Sequence, residues 1–187
     1  MLYLQTSQQK TIRNVNPIIM VFLFVGLLLL RTSAFRVFPG FFSRWDFLLP
    51  FIVYFGQRRP LFEGLLLWFI LAHLYSLQSV APFGVFVVYY LILFVISRLI
   101  SEVFFATEGI QILALLSVLS LLSRVILPLV AKGFGSGWPV LSRSNLHLGV
   151  IFANIVLSWI CFLGLSFVDR ITFKDSRQIL DLGEGLA

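Results

Sequence analysis

The stretch from Arg58 to Gly84, RRPLFEGLLLWFILAHLYSLQSVAPFG, decides how the whole chain is read. A basic turn, Arg58-Arg59-Pro60, opens it, and a second turn, Ser79 to Gly84, closes it. Between them Leu61 to Gln78 is apolar apart from a few polar groups, Glu63 and His73 foremost. Roughly 20 such residues in a helix cross the ~30 Å hydrocarbon core of a bilayer. The run is apolar on every face and lacks the in-and-out alternation of a barrel strand, so a membrane helix is expected.

Five more runs of the same kind flank it. The first covers about Val15 to Leu30 and ends at Arg31; the fourth covers Val85 to about Phe105. The fifth covers Ile110 to Ala131 and the sixth about His147 to Val168. The second, Phe47 to Gly56, contains Pro50 and is too short to span alone. Either it starts earlier, near Phe41, or it is a tilted or partly inserted helix. The expected fold is therefore all-α, a polytopic membrane bundle of six transmembrane helices over residues 15–168. Residues 1–14 form a polar N-terminal segment and residues 169–187 a short polar tail.

Composition leads to the same class. Hydrophobic residues make up 59% of the chain and charged residues 12%, with a mean hydropathy of +1.00. A soluble domain averages about 45–50% and about 25% respectively, and could not hide this much apolar surface. The formal charge of +6 comes from 14 Lys and Arg scattered in ones and twos. Such spacing suits loops beside anionic headgroups, so membrane lipid is expected as a partner and nucleic acid is not. Cys161 is the single cysteine, which rules out a disulfide within the chain and a multi-cysteine metal site. Met1 to Asn14 carries no small-residue cleavage motif, so the first span is expected to be retained.

Basic residues also orient the bundle. With the N-terminus inside, Lys10, Arg13, Arg58, Arg59, Arg98, Arg170, Lys174 and Arg177 are cytoplasmic. Arg31, Arg36, Arg44, Arg124, Lys132 and Arg143 then lie outside. The bias is small, and the Arg58-Arg59 turn and the basic tail decide it in favour of both termini facing the cytoplasm.

Polar groups inside spans are costly in lipid and are the functional candidates. Glu63 stands in the first turn of its helix, four residues after Arg59. There it reads as an interfacial carboxylate paired with Arg58 or Arg59, a proton or substrate role being the alternative. His73, Ser76 and Ser79 share a helix face that would join helices by hydrogen bonds or line a pocket. One His without a second ligand does not make a metal site. Ala114, Ser117 and Ser120 read as a close-packing seam, and Arg98 with Glu102 as an ion pair. Asn154 and Ser158 stack on one face that should meet protein, because a buried amide needs partners. Gly135-Ser136-Gly137 with His147 resembles the serine motif of intramembrane rhomboid proteases. Both groups, however, fall in or beside one polar loop, which does not suit a Ser and a His facing each other from two helices. No paired carboxylates, HExxH or phosphate-binding Gly loop is present, and neither a catalytic residue nor a cofactor is expected.

From Arg44 to about Arg98 the chain resembles the MreD family of bacterial rod shape-determining proteins. The resemblance rests on Arg44-Trp45-Asp46-Phe47-Leu48-Leu49, then Tyr54, then Arg58-Arg59-Pro60-Leu61-Phe62-Glu63-Gly64. Phe69 follows at the family's aromatic position, and Ser79-Val80-Ala81-Pro82-Phe83-Gly84 forms the closing turn. Ser76 stands where the family usually has an acidic residue, Trp68 and Ala72 stand at its small helix positions, and Val80 replaces a Gly. Some of the pattern has a physical basis in its own right. Asp46 suits an N-cap, Pro60 a first helical turn, and Pro82 with Gly84 a tight turn. The resemblance implies a non-enzymatic subunit of the bacterial inner membrane, part of the elongasome that supports lateral peptidoglycan synthesis. It implies MreC as direct partner and RodA, its penicillin-binding transpeptidase and MreB in the wider complex. It also implies a fold like the substrate-binding subunits of energy-coupling-factor transporters. Such a vitamin-binding subunit is the main rival function, although the first helix lacks that class's small-xxx-small motif. An intramembrane enzyme is the third.

Overall fold

The computed structural model describes residues 7–37, 45–79, 81–82, 84–103, 109–135, 148–172 and 174. These form α1 (Ser7–Val37), α2 (Leu48–Arg58), α3 (Leu61–Leu77), α4 (Val85–Val103), α5 (Gly109–Gly133) and α6 (Leu148–Ile171). There is no strand among the described residues. Within α1, α5 and α6, Ile12–Ser33, Ile110–Gly133 and Ile151–Ile171 are long and apolar enough to cross a membrane. Leu61–Leu77 and Val85–Ser101 are shorter apolar helices. The protein is a helical membrane bundle. Its first helix reaches back to Ser7, into the polar N-terminal segment, and its sixth runs past Val168 to Ile171.

Local chemistry sets the boundaries. Asp46 Oδ1 accepts from the backbone N–H of Leu48 and of Leu49, both at 3.2 Å, so it caps α2 as the sequence suggests. Pro60 stands just ahead of α3, and its carbonyl accepts the first bond, from Gly64 N–H at 2.9 Å. Its missing donor is therefore no loss. Gly84 adopts φ +98° in the α3–α4 turn, a conformation that side chains other than glycine rarely tolerate. Its carbonyl then starts α4 by accepting from Val88 N–H at 2.9 Å.

The short second run has a definite place. α2 starts at Leu48 and is 11 residues long, about 16 Å at helical rise. Every residue from Leu48 to Gly56 is buried, and the helix packs against α3, α4 and α6. A helix that never meets lipid need not span it; α2 is the interior helix of the bundle. Phe51 meets Phe24 of α1 edge-on at 5.2 Å, and Tyr54 meets Phe162 of α6 edge-on at 5.0 Å. Outside this core, Phe22, Phe62, Ile110 and Phe152 are each 70–83% exposed, as side chains facing hydrocarbon would be.

Close approach of α4 depends on two glycines. A Cβ on Gly56 would lie 2.9 Å from Ser97 Oγ. One on Gly64 would lie 3.1 Å from the Phe94 ring and 3.2 Å from the Phe55 carbonyl oxygen. Gly64→Val is expected to cost about 1–3 kcal/mol, the usual range for overpacking. Thermal denaturation of the purified protein in detergent checks this, and an unchanged midpoint would show that Phe94 can move aside.

The small-residue seam expected on α5 is not where that helix packs. Ala114 is exposed and Ser117 turns its hydroxyl back to the Leu113 carbonyl at 2.8 Å, while Ser120 alone of the three is buried. The buried side carries Ile112, Leu115, Leu116, Leu119, Ser120 and Ser123. Larger apolar side chains remove more surface on packing and outweigh the benefit of small contacts.

Candidate functional site

The helices alternate in direction, and the polar side chains gather at the two ends of the bundle. At one end α1 and α3 begin while α2 and α6 finish. Arg59 lies there, immediately after α2, with its side chain 1% exposed. Its Nη2 donates to Asp169 Oδ1 at 2.5 Å and to Asn16 Oδ1 at 2.7 Å. Asn16 Nδ2 donates to Asp169 Oδ1 at 2.9 Å and to Thr172 Oγ1 at 2.5 Å. The Tyr54 hydroxyl donates to Asp169 Oδ2, and the Arg59 guanidinium also lies 6.0 Å from the Tyr54 ring centre. Arg59 Nη1 is 3.5 Å from Glu63 Oε1, which also accepts from Lys174 Nζ at 2.5 Å. Arg98 Nη1 donates to the Arg59 carbonyl at 2.8 Å and to that of Gly56 at 3.3 Å, closing the C-terminus of α2.

Arg59 and Asp169 thus pair in the interior, where an unpaired charge would be costly, and Glu63 and Lys174 pair at its edge. Lys174 is held below the ordinary lysine pKa by burial, against the opposing pull of its hydrogen bond to Glu63. The network joins α1, α2, the α2–α3 turn, α3 and the end of α6 through hydrogen-bonded contacts.

At the other end α2 and α4 begin while α1 and α3 finish. Besides capping α2, Asp46 accepts from the Tyr90 hydroxyl at 2.6 Å and the Tyr89 hydroxyl at 3.2 Å. Its backbone N–H donates to Asn154 Oδ1 at 3.1 Å, which ties α6 to the start of α2. Beside it Arg31 Nη1 donates to the Tyr75 hydroxyl at 2.9 Å. The Arg31 guanidinium sits 5.4 Å from the Phe47 ring centre and 5.3 Å from that of Tyr75, within cation–π range. Tyr75 meets Tyr90 edge-on at 5.6 Å, so the aromatic groups of α3 and α4 continue the joint.

Most of the residues singled out in the sequence fall in or beside these networks. Asp46, Tyr54, Arg59, Glu63 and Asn154 belong to them directly. Glu63 pairs with Arg59 and with Lys174, while Arg58 is half-buried at the end of α2. Gly64 sits against Phe94. Ser79 Oγ accepts from Ala81 N–H at 3.0 Å, and with Pro82 and Gly84 it belongs to the α3–α4 turn. His73 is half-buried and stacked on exposed Phe69 at 6.0 Å. Ser76 and Ser158 are buried, and their hydroxyls make no hydrogen bond among the described residues. The face of α6 that carries Asn154 and Ser158 meets protein at both positions, and Asn154 is also bonded to the start of α2. Arg98 caps α2; the Glu102 side chain, Ser136 and His147 lie outside the described side chains.

Eight members were not picked out as site residues from the sequence: Asn16, Arg31, Tyr75, Tyr89, Tyr90, Asp169, Thr172 and Lys174. Asp169 and Thr172 look like the start of a solvated tail, yet both are buried. Their i, i+3 spacing and their position at the end of an apolar helix were the signals available.

The chemistry of the two carboxylates is that of fasteners. An ionised carboxylate has about four acceptor positions. Asp46 receives four donors, two backbone and two phenolic, and Asp169 receives Arg59, Asn16 and Tyr54. Oxygens occupied in this way hold helices together. Among the described residues no group of three or more His, Cys, Asp or Glu could hold a metal. Comparison of the chain with protein-family models, curated proteins and solved structures found no match.

Proposed function

We propose that this protein is a non-enzymatic scaffold of the bacterial inner membrane, acting as an MreD-like subunit of the elongasome. In that role it binds MreC by helix packing and, through it, works with RodA, a penicillin-binding transpeptidase and MreB. Both termini then face the cytoplasm, with the Arg59 network on the cytoplasmic side. One observation carries the reading: several residues of the MreD-like pattern take part in fastening the bundle. Asp46 caps α2 and gathers two tyrosines, Tyr54 and Arg59 meet at Asp169, and Gly64 admits α4. A pattern engaged in packing suits a subunit whose work is to present a rigid helical surface. The apolar faces of α1, α5 and α6 are available for a partner helix.

Affinity purification of the full-length tagged protein from native membranes tests this. MreC is the expected co-purifying protein, and depletion of the protein is expected to round the cells. Recovery of an ATPase and a coupling subunit would replace this reading with the vitamin-transporter one, and unchanged rod shape after complete depletion would count against it.

A further inference from the structure

Charge is shared unevenly between the two ends of the bundle. At the Asp46 end the sequence places Arg31, Arg36, Arg44, Arg124, Lys132 and Arg143 against one carboxylate, Asp46. The Arg59 end has eight Lys and Arg, but also the other seven Asp and Glu. Asp46 is already bonded to two backbone N–H groups and two tyrosines. Arg124 is the cation that this imbalance leaves in the most costly place. It stands within the apolar run of α5, half-buried between buried Ser120 and Ser123 and exposed Leu121, Leu122 and Val125. Among the described residues it has no hydrogen-bond or ion-pair partner. The stretches at this end that lie outside the described residues, 38–44, 80, 83 and 136–147, contain no Asp or Glu. A counter-anion for Arg124 must therefore come from outside the chain.

The level of Arg124 and its surroundings identify the anion. Arg124 follows Ser123, which lies beside Tyr89, and the Tyr89 hydroxyl bonds Asp46. Arg31 joins the same group through Tyr75 and Tyr90, and on α1 it is followed by exposed, polar Thr32 and Ser33. That level is the edge of the hydrocarbon. On α5 apolar residues continue to Ala131, so Arg124 lies just inside the edge, and an arginine side chain is long enough to snorkel from there to the headgroups. Helix–helix interfaces in lipid favour small residues, whereas Leu121, Leu122 and Val125 are bulky and exposed, a surface suited to acyl chains. We propose that Arg124 with Leu121 and Leu122 is a site for one anionic phospholipid, its phosphate paired with the guanidinium and its chains lying along α5. The site does not depend on the proposed elongasome role, since an unpaired cation at this level needs an anion in any membrane function.

The test uses the full-length protein in vesicles of mixed phosphatidylglycerol and phosphatidylcholine. In a Cys161→Ala background, Leu121→Cys on α5 and, as reference, Ile160→Cys on α6 each carry a fluorophore; both positions are exposed. Bromine is placed on the acyl chains of one lipid or the other, and quenching reads the share of each lipid beside the label. Relative to the reference, phosphatidylglycerol should be enriched about fivefold at Leu121, the ratio expected of one basic residue at a membrane surface. Arg124→Gln should remove the enrichment with the thermal midpoint kept, and Arg124→Lys should retain most of it. Inorganic phosphate exchanged for chloride at constant ionic strength should leave it in place; its loss there would show a site for the free anion and overturn the proposal. Equal shares of the two lipids at Leu121, or an enrichment that survives Arg124→Gln, would overturn it as well, the first result leaving the guanidinium to a carboxylate on a partner helix.

Discussion

Asp169→Leu should destabilise the protein by about 3–5 kcal/mol, the range seen when one partner of a buried ion pair is removed. The loss does not measure the worth of an attractive contact. Arg59 is 1% exposed at its side chain, and without Asp169 its charge stays in the interior with Asn16 and the Glu63 carboxylate, 3.5 Å away and shared with Lys174, for company. Asn16 and Tyr54 would lose an acceptor at the same time. Asp169→Asn keeps the shape but not the charge, and should fall between wild type and Asp169→Leu. The decisive comparison is the double variant Arg59→Met with Asp169→Leu. Replacing both ions with apolar groups of similar size is often neutral or stabilising, so the double variant should recover much of the loss. Denaturation midpoints in one detergent give all three values. A double variant no better than Asp169→Leu alone would mean that the network acts through Arg59's contacts and not through charge balance.

How far the bundle can be read from the sequence follows from the kind of signal each part leaves. Hydropathy places α3 to α6 within a few residues because lipid imposes one rule on every exposed position of a spanning helix. The same rule misjudges α2. Its 11 residues look too few only if it must meet lipid, and its burial from Leu48 to Gly56 removes that condition. Local chemistry was also legible: Asp46 before an apolar run is a cap, and Glu63 four residues after Arg59 is a pair. What stayed hidden depends on long-range partners. Asn16 and Asp169 are 153 residues apart, and nothing in the neighbourhood of either announces the other. Asp169 sits where apolar sequence gives way to polar, so it reads as solvated until α1 and the α2–α3 turn close over it.

Asp46→Ala should be the most damaging change at the opposite end, with an expected loss of about 3 kcal/mol or more. The two contributions are separate. Loss of the cap strands the N–H groups of Leu48 and Leu49 at the start of an interior helix, worth about 0.5–2 kcal/mol. The hydroxyls of Tyr89 and Tyr90, on side chains 2% and 1% exposed, lose a charged acceptor, and a stranded buried donor costs about 1–3 kcal/mol. Asp46→Asn keeps an oxygen for the cap and should be milder. Tyr90→Phe removes the shorter phenolic bond alone and should cost less than Asp46→Ala. In the double variant Asp46→Ala with Tyr90→Phe the costs should add to less than their sum, because the second change removes a hydroxyl the first had already stranded. Full additivity would show that Asp46 acts on α2 alone. Less than full additivity would place α2 and α4 in one joint, in which the start of the interior helix cannot move without the tyrosines of its neighbour.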